Sequence, residues 1–301
     1  MLAQARRLEL LELIRKQGIV EVQALAERFQ CSAATIRNDL SALERRGLVQ
    51  RTHGGAFALD YGREQDTPVT VRQALMSEEK AFIGKLAAEL VTDGDLIMVD
   101  SSSTVLELVR RIKDRRHLTV VTNAVNVAVE LAGVSSITVV MVGGVLRHPS
   151  LSIVGGDAEE AVARFRVRKV FLSTRGITLD RGLTDTSLEE ARLHAAMLEA
   201  GSERYLLADS SKFGVEVFTS AAPLERLTAV ITDRRPPEPF LRTFKEKGVR
   251  VVWNRTELQD LIRHPALPGD RPVPEAALAS GDGRELERPD EPDEEAGRNG
   301  R

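Results

Sequence analysis

Cysteine is nearly absent from this chain of 301 residues: Cys31 is the only one. An intramolecular disulfide framework is therefore excluded, and so is a cysteine-rich metal site. Long uninterrupted apolar runs are also missing, which argues against a membrane-spanning helix. The amino terminus, Met-Leu-Ala-Gln-Ala-Arg-Arg, leads into an amphipathic segment through Leu10, Leu11 and Ile14 and not into a secretory signal. These features favour the cytoplasm. Cys31 sits between two helical patterns, where a small buried residue is a better reading than a redox sensor. Excess charge is small as well, at −3 overall. It is unevenly spread, because Asp270 to Arg301 holds five arginines against ten acidic residues. The stretch after His264 also holds half of the prolines and no aromatic residue. Acid, proline and low apolar content imply a disordered tail over 264–301. That tail either solvates the protein or competes with a polyanion for its basic surface. Without it the remainder is mildly basic.

What is present begins with Gly18 to Ala56. Val22, Leu25, Ala26 and Phe29 recur at helical spacing and form one buried stripe. Gln30 and Cys31 interrupt the pattern, and Ser32 is placed to cap a second helix. In that helix Ala33, Ile36, Leu40 and Leu43 share a face, and Gly47 is a natural stop. Ala34, Thr35, Asn38, Ser41, Ala42 and Arg45 point the other way, with Arg37 at the flank. Small residues, a hydroxyl, an amide and arginines suit close approach to base edges and phosphates. A helical hairpin with a merely solvated face would show the same spacing. The following Leu-Val-Gln-Arg-Thr-His-Gly-Gly-Ala tilts the balance toward DNA. It offers a short extended run, Arg51 and His53 as polar projections, and Gly54-Gly55 as a flexible turn, which together make a wing.

The pattern Gly-x-Val-x-Val-x-x-Leu-Ala-x-x-Phe over Gly18 to Phe29, Ser-x-x-Thr-Ile-Arg-x-Asp-Leu over Ser32 to Leu40, and His53-Gly54-Gly55-Ala56 resembles the amino-terminal domain of DeoR-family transcription regulators. Many members carry arginine where Asn38 stands, which implies a change in the operator read. DNA contacts are expected from Ser32, Thr35, Arg37, Asn38, Ser41, Arg45, Arg46, Arg51 and His53. Thr35, Arg37 and Asn38 would read bases; Arg45, Arg46 and Arg51 would hold phosphates.

From about Leu75 the pattern becomes short β-branched runs alternating with helical stretches. Strands are expected at Leu96–Val99, Leu118–Val121, Ile137–Val142, Val170–Leu172, Tyr205–Ala208, Ala229–Ile231 and Val249–Val252. Such runs predict a mostly parallel sheet covered by helices on both faces, so the chain reads as α/β. The polar, proline-containing stretch before it is a linker. The expected division is a winged helix–turn–helix domain at 1–58, a linker at 59–74, a sensing domain at 75–255 and the tail.

Most of these strands end in polar residues, and in open parallel sheets ligands bind outside the carboxyl ends of strands. Polar strand ends also serve ordinary turns; their repetition along one edge is the stronger signal. Ser101 to Thr104 run into a helix read from Val105 to Ile112, whose free N–H groups would seat a phosphate. The same segments resemble the DeoR-family sensor domain, which shares its fold with ribose-5-phosphate isomerase. The matching pieces are Asp100-Ser101 with Thr104, Val121-Thr122-Asn123, Gly143-Gly144, Gly182-Leu183-Thr184, Asp209 to Gly214 and Ile231-Thr232-Asp233. The resemblance implies a phosphorylated sugar or related metabolite as effector. Expected contacts are Asp100, Ser101, Ser102, Ser103, Thr104, Thr122, Asn123, Gly143, Gly144, Asp209 and Lys212.

Two positions depart from the family pattern: Ser102 replaces a glycine and His194 a lysine. Histidine is neutral much of the time near pH 7, so an anion contact there competes with an ordinary helix position. An isomerase-like enzyme is the alternative, with Asp100, Asp185, Asp209 or Glu190 as general base. No dinucleotide fingerprint follows the first strand and no histidine pair stands at metal spacing; neither cofactor, metal nor catalytic residue is expected. A pure interaction module would not need polar residues at one strand end after another. One recognition helix reads few base pairs, so a homo-oligomer joined through the second domain is expected on repeated or palindromic half-sites.

Overall fold

The computed structural model describes residues 3–17, 19–45, 48–51, 54–58 and 69–264. The expected tail, most of the expected linker, and Gly18, Arg46, Gly47 and His53 lie outside them.

The amino-terminal lobe has helix α1 (Ala3–Gln17), strand β1 (Ile19–Glu21), helices α2 (Val22–Arg28) and α3 (Ala33–Glu44), and strands β2 (Val49–Arg51) and β3 (Gly55–Ala58). The stripe on α2 is buried at Val22, Leu25 and Ala26, whereas Phe29 caps the helix and is half-buried. Gln30 turns the chain with φ +49°. Cys31 is half-buried against the core rather than enclosed by it. Ser32 caps α3 by accepting the Thr35 N–H at 3.1 Å. Ile36, Leu40 and Leu43 then meet Leu10, Ile14 and Leu25 in one core.

The three strands form a sheet in the order β1-β3-β2, with both pairs antiparallel. Gly55 corrects the sequence reading: it lies in the central strand and not in a flexible turn. A Cβ there would stand 1.9 Å from the Val20 carbonyl oxygen, whereas one on Gly54 meets nothing within 4 Å. Glycine at 55 is required by backbone approach. Gly55→Ala should therefore cost this lobe about 1–3 kcal/mol as overpacking, with Gly54→Ala near neutral. Faster amide exchange at Val20 and Glu21 in the first variant alone checks this.

The second lobe opens with α4 (Val69–Ala74) and α5 (Ser77–Ala88), so the expected linker ends in a helix. Next come β4 (Leu96–Val99), α6 (Ser103–Arg111), β5 (Leu118–Thr122), α7 (Val125–Leu131), β6 (Ile137–Met141), β7 (Val145–Arg147) and β8 (Ser152–Val154). After these stand α8 (Gly156–Ala163), β9 (Val167–Leu172), β10 (Gly176–Thr178), β11 (Gly182–Asp185), α9 (Leu188–Ala200) and β12 (Gly201–Leu207). The lobe closes with β13 (Thr219–Ala222), β14 (Ala229–Ile231), α10 (Glu238–Glu246), β15 (Arg250–Val252) and α11 (Arg255–Arg263).

All seven expected strands join one sheet in the order β15-β14-β12-β9-β4-β5-β6, every pair parallel. Alternation along the strands separates two cores. Ile97, Val99, Phe171, Tyr205, Leu207 and Ile231 face α5, α6, α7 and α11. Met98, Val170, Leu172, Leu206 and Val230 face α8, α9 and α10. Two smaller sheets were not expected: the hairpin β7–β8 and the antiparallel set β10-β11-β13. From β4 the chain steps outward through β5 to β6, and from β9 it steps the other way. The order reverses between β4 and β9, which makes their carboxyl ends the topological switch point where open α/β sheets bind ligands.

Candidate DNA interface and sensor site

Arg37, Asn38 and Arg45 are exposed on α3, with Ser41 half-buried beside them. Thr35 and Ser32 share a hydrogen bond between their hydroxyls at 2.9 Å. Arg51 is held onto the same helix: its Nη1 donates to the Ser41 hydroxyl at 2.8 Å and its N–H to Glu44 at 3.1 Å. That bond fixes the wing strand to the recognition helix. A clamp that sequence reasoning missed sits behind the exposed face. Asp39 is 2% exposed and accepts from Arg6 Nε at 2.6 Å and Arg7 Nε at 2.8 Å, tying α1 to α3. Arg46 and His53 lie outside the described residues.

At the switch point Asp100 is the tie. One carboxylate oxygen accepts the Ser102 N–H at 2.9 Å, the other the Ser173 N–H at 2.8 Å. The loops after β4 and β9 are thereby held together by a side chain that is 1% exposed. The Ser102 hydroxyl caps α6 by accepting the Val105 N–H at 3.1 Å. The helix begins two residues earlier than the sequence suggests, so Ser103 and Thr104 form its first turn. Both are buried, as is Ser101. Thr122 donates to the Val99 carbonyl at 2.9 Å and accepts the Ala124 N–H at 3.1 Å, which gives it a turn-forming role. Asn123 donates to the Ile153 carbonyl at 3.2 Å, whereas its buried Oδ1 has no partner. Gly143 and Gly144 are exposed at the base of the β7–β8 hairpin.

Helix α9 brings the histidine weighed as an anion contact, His194, and the carboxylate weighed as a base, Glu190, into the site. His194 is buried, with Nδ1 2.9 Å from Asp185 and Nε2 3.5 Å from Asp100. Burial opposes its charge, but Asp185 and Asp100 together overcome it and raise its pKa well above the usual histidine value. The two carboxylates flanking the ring favour its charged form, against the expectation of a mostly neutral side chain. One turn earlier on α9, Glu190 accepts from Ser152 at 3.2 Å and pairs with Arg147 at 3.4 Å. Burial pushes its carboxyl up, and Arg175, Arg147 and His194 outweigh that and hold it low.

The third part of the site surrounds Asp209, which accepts the Ser211 N–H at 3.1 Å. Its pKa is lowered against burial by Lys212 and Lys80. Lys212 itself is lowered, first by burial, with Asp209 opposing and Arg175 and Arg72 reinforcing. Lys80, 5% exposed, is brought down to about 7 by burial and by the neighbouring cations Lys212, Arg72 and Arg175, with Asp209 resisting. Arg72, Lys80, Arg147, Arg175, His194 and Lys212 thus act on Asp100, Asp185, Glu190 and Asp209: six basic groups, Lys80 and Lys212 of lowered basicity, against four carboxylates. Of the expected contacts, Asp209 and Lys212 join this charged group and Asp100 meets it through His194. Thr122 bonds Val99 and Ala124 within its own sheet edge, and Asn123 bonds Ile153 of the β7–β8 hairpin, so neither joins the charged group by these contacts. Among the described residues, no cluster of histidine, cysteine and acidic groups is arranged to hold a metal. No helix there is long and apolar enough to cross a membrane.

Comparison with known proteins gives this arrangement a lineage. Residues 6–61 match the DeoR-like helix-turn-helix domain, and residues 75–234 match the DeoR C-terminal sensor domain. A transcriptional repressor of Agrobacterium fabrum, AccR, is 35% identical over 76% of this chain and 89% of its own length. A putative aga operon transcriptional repressor of Escherichia coli O157:H7 is 32% identical over 82% of this chain and 92% of its own. The glycerol-3-phosphate regulon repressor of Escherichia coli K12 is 30% identical over 80% and 95%. With both matched regions accounted for in one fold, the chain belongs to the DeoR family of transcriptional regulators.

Proposed function

We propose that this regulator is a repressor that reads operator DNA with α3 and is released when a phosphorylated sugar binds at the switch point of its second lobe. The observation that carries the effector reading is the charge count there. Six basic groups stand against four carboxylates, and two of the six, Lys80 and Lys212, are held below the ordinary lysine pKa by burial and by neighbouring cations. An incoming phosphate, which carries about −1.5 to −2 near pH 7, is therefore compensated by groups already close together. The buried Asn123 Oδ1 is an acceptor in need of a donor, which a sugar hydroxyl supplies. Ser101, Ser103, Thr104 and Lys212 complete the proposed contacts. Asp100, Ser102 and Thr122 support them by fixing the loops, since their own groups are engaged within the protein. The printed name of the glycerol-3-phosphate regulon repressor agrees with this chemical class.

An isomerase reading is weaker on physical grounds. A general base needs a pKa near the working pH, and Glu190 and Asp209 are both held below the ordinary carboxylate range by neighbouring cations. Asp100 and Asp185 are committed to His194 and to backbone N–H groups. The chain accordingly acts by binding and not by turnover, as a homo-oligomer in the cytoplasm on repeated half-sites. Residues 1–58 supply DNA contacts and 75–255 sense the effector.

Asn38, exposed on α3, tests the DNA half of this reading. Asn38→Ala should relax preference at one base position by about 1–3 kcal/mol. Selection from random duplexes with both proteins checks it, and identical sequence profiles would remove Asn38 from base readout.

A further inference from the structure

Helix α4 is fastened to the sensor lobe at both ends, and each fastening leads to the charged site. At its start the Val69 N–H donates to the Pro149 carbonyl at 2.6 Å. Pro149 lies in the β7–β8 turn, between Arg147, which pairs with Glu190, and Ser150. At its end the Lys80 ammonium donates to the Arg72 carbonyl at 2.5 Å and the Leu75 carbonyl at 2.6 Å. The Arg72 carbonyl also accepts the Leu75 N–H at 3.3 Å, and a lysine at this end of α4 meets the negative end of the helix dipole. Lys80 reaches them from α5 while buried beside Asp209 and Lys212. Arg72, on α4 itself, acts electrostatically on Lys212 and on Lys80.

We propose that Arg72 and Lys80 complete the phosphate seat, so that an anionic effector fastens α4 to the sensor lobe and thereby reports its presence to the segment leading to the wing. This rests on the reading of Lys212 as an effector contact. The chemistry is that of clustered cations. Arg72, Lys80, Arg175 and Lys212 repel one another around Asp209 and Asp185, and a bound dianion removes that repulsion. Two of these four belong to the α4–α5 corner, so the relief is felt as tighter attachment of α4. In sequence, α4 begins eleven residues after β3 ends, counting Ala58 to Val69. Residues 59–68 are thus all the sequence that separates α4 from β3, and tighter attachment of α4 would shorten the free length of chain between the lobes.

The experiment uses the full chain and inorganic phosphate, the group common to all phosphorylated sugars. Binding is measured calorimetrically for the wild type, Lys212→Gln and Arg72→Gln, and amide exchange over Val69–Ala74 is followed in the wild type with and without phosphate. Both substitutions should weaken phosphate by about tenfold or more, as for loss of a charge-assisted contact. Phosphate near 100 times its Kd should slow exchange across α4 by about tenfold or more. The exchange measurement needs no variant, so it decides even if Arg72→Gln folds poorly. If Lys212→Gln weakens phosphate while α4 exchange is unmoved, the site stands and the role of α4 is overturned. If the wild type binds no phosphate, or Lys212→Gln binds it unchanged, the sensor reading fails and takes this inference with it.

Discussion

His194→Gln should destabilise the second lobe by about 3–5 kcal/mol, the cost of removing one partner from a buried ionic cluster. The substitution keeps a polar side chain of similar reach but deletes the cation between Asp185 and Asp100, which are 3% and 1% exposed. Two buried carboxylates are then left without the charge between them. His194→Lys restores the positive charge and should recover most of the loss. The single tryptophan, Trp253, follows β15, so its fluorescence reports unfolding of this lobe. The pH dependence has a definite sign. A histidine whose folded pKa is raised contributes stability that is fully present below its unfolded value, about 6.5, and is lost as pH rises through the folded pKa. The gap between wild type and His194→Gln should accordingly be large near pH 6.5 and narrow in alkaline solution. The groups facing His194 are Asp100, Asp185 and Glu190, with Arg147 and Arg175 acting on Glu190 and Lys212 on Asp185; the two carboxylates in direct contact with the ring set the sign of the trend.

The second large effect belongs to the effector. Lys212→Ala should abolish the response of the DNA complex to phosphorylated sugars, because it deletes the half-buried ammonium proposed to pair with the phosphate, a charged hydrogen bond worth about 1.5–3 kcal/mol. Operator affinity without effector should change little, because Lys212 lies outside the region that matches the DeoR-like helix-turn-helix domain, residues 6–61. A ligand shifts an equilibrium only through differential affinity for two states; losing the contact loses the shift. Competition binding of labelled operator to wild type and Lys212→Ala, with and without sugar phosphates, measures both quantities. Equal responses in the two proteins would exclude Lys212 from the site.

How much of this was legible beforehand depends on the distance over which each feature is decided. The recognition helix could be read because Ile36, Leu40 and Leu43 are buried at helical spacing while Arg37 and Asn38 remain exposed. The seven strands of the main sheet could be read because buried parallel strands are near-continuous apolar runs. The hairpin β7–β8 and the sheet β10-β11-β13 could not. Their strands are three or four residues long, below the length at which alternation is a signal. Gly182 marks one of them: its φ is +72° and a Cβ would stand 2.3 Å from the Ala222 carbonyl oxygen.

The charged site was half legible. Asp100, Asp209 and Lys212 follow strands directly, so the rule about strand ends finds them. Arg72, Arg147 and Arg175 each look like surface charge in their own neighbourhood, and only the adjacency of β4 to β9 brings their segments together. Strand order is a long-range property that spacing does not encode. Lys80 did leave a trace: it shares a buried stripe of α5 with Ile83, Gly84 and Ala87, and an ionisable group on an apolar face asks for partners. His194 was misjudged for a related reason. Its charge is decided by two carboxylates nine and ninety-four residues away, taken from Asp185 and Asp100.

The account turns on release of DNA by a phosphorylated ligand. The direct measurement takes a duplex selected by the full chain from random sequences and titrates the complex with a panel of sugar phosphates beside their unphosphorylated counterparts, following anisotropy of the DNA. One phosphorylated sugar should weaken the complex by about 5–150-fold, the usual range of coupling between two sites, while its unphosphorylated partner leaves it intact. Weakening by both forms alike, or by neither across the panel, would contradict the account.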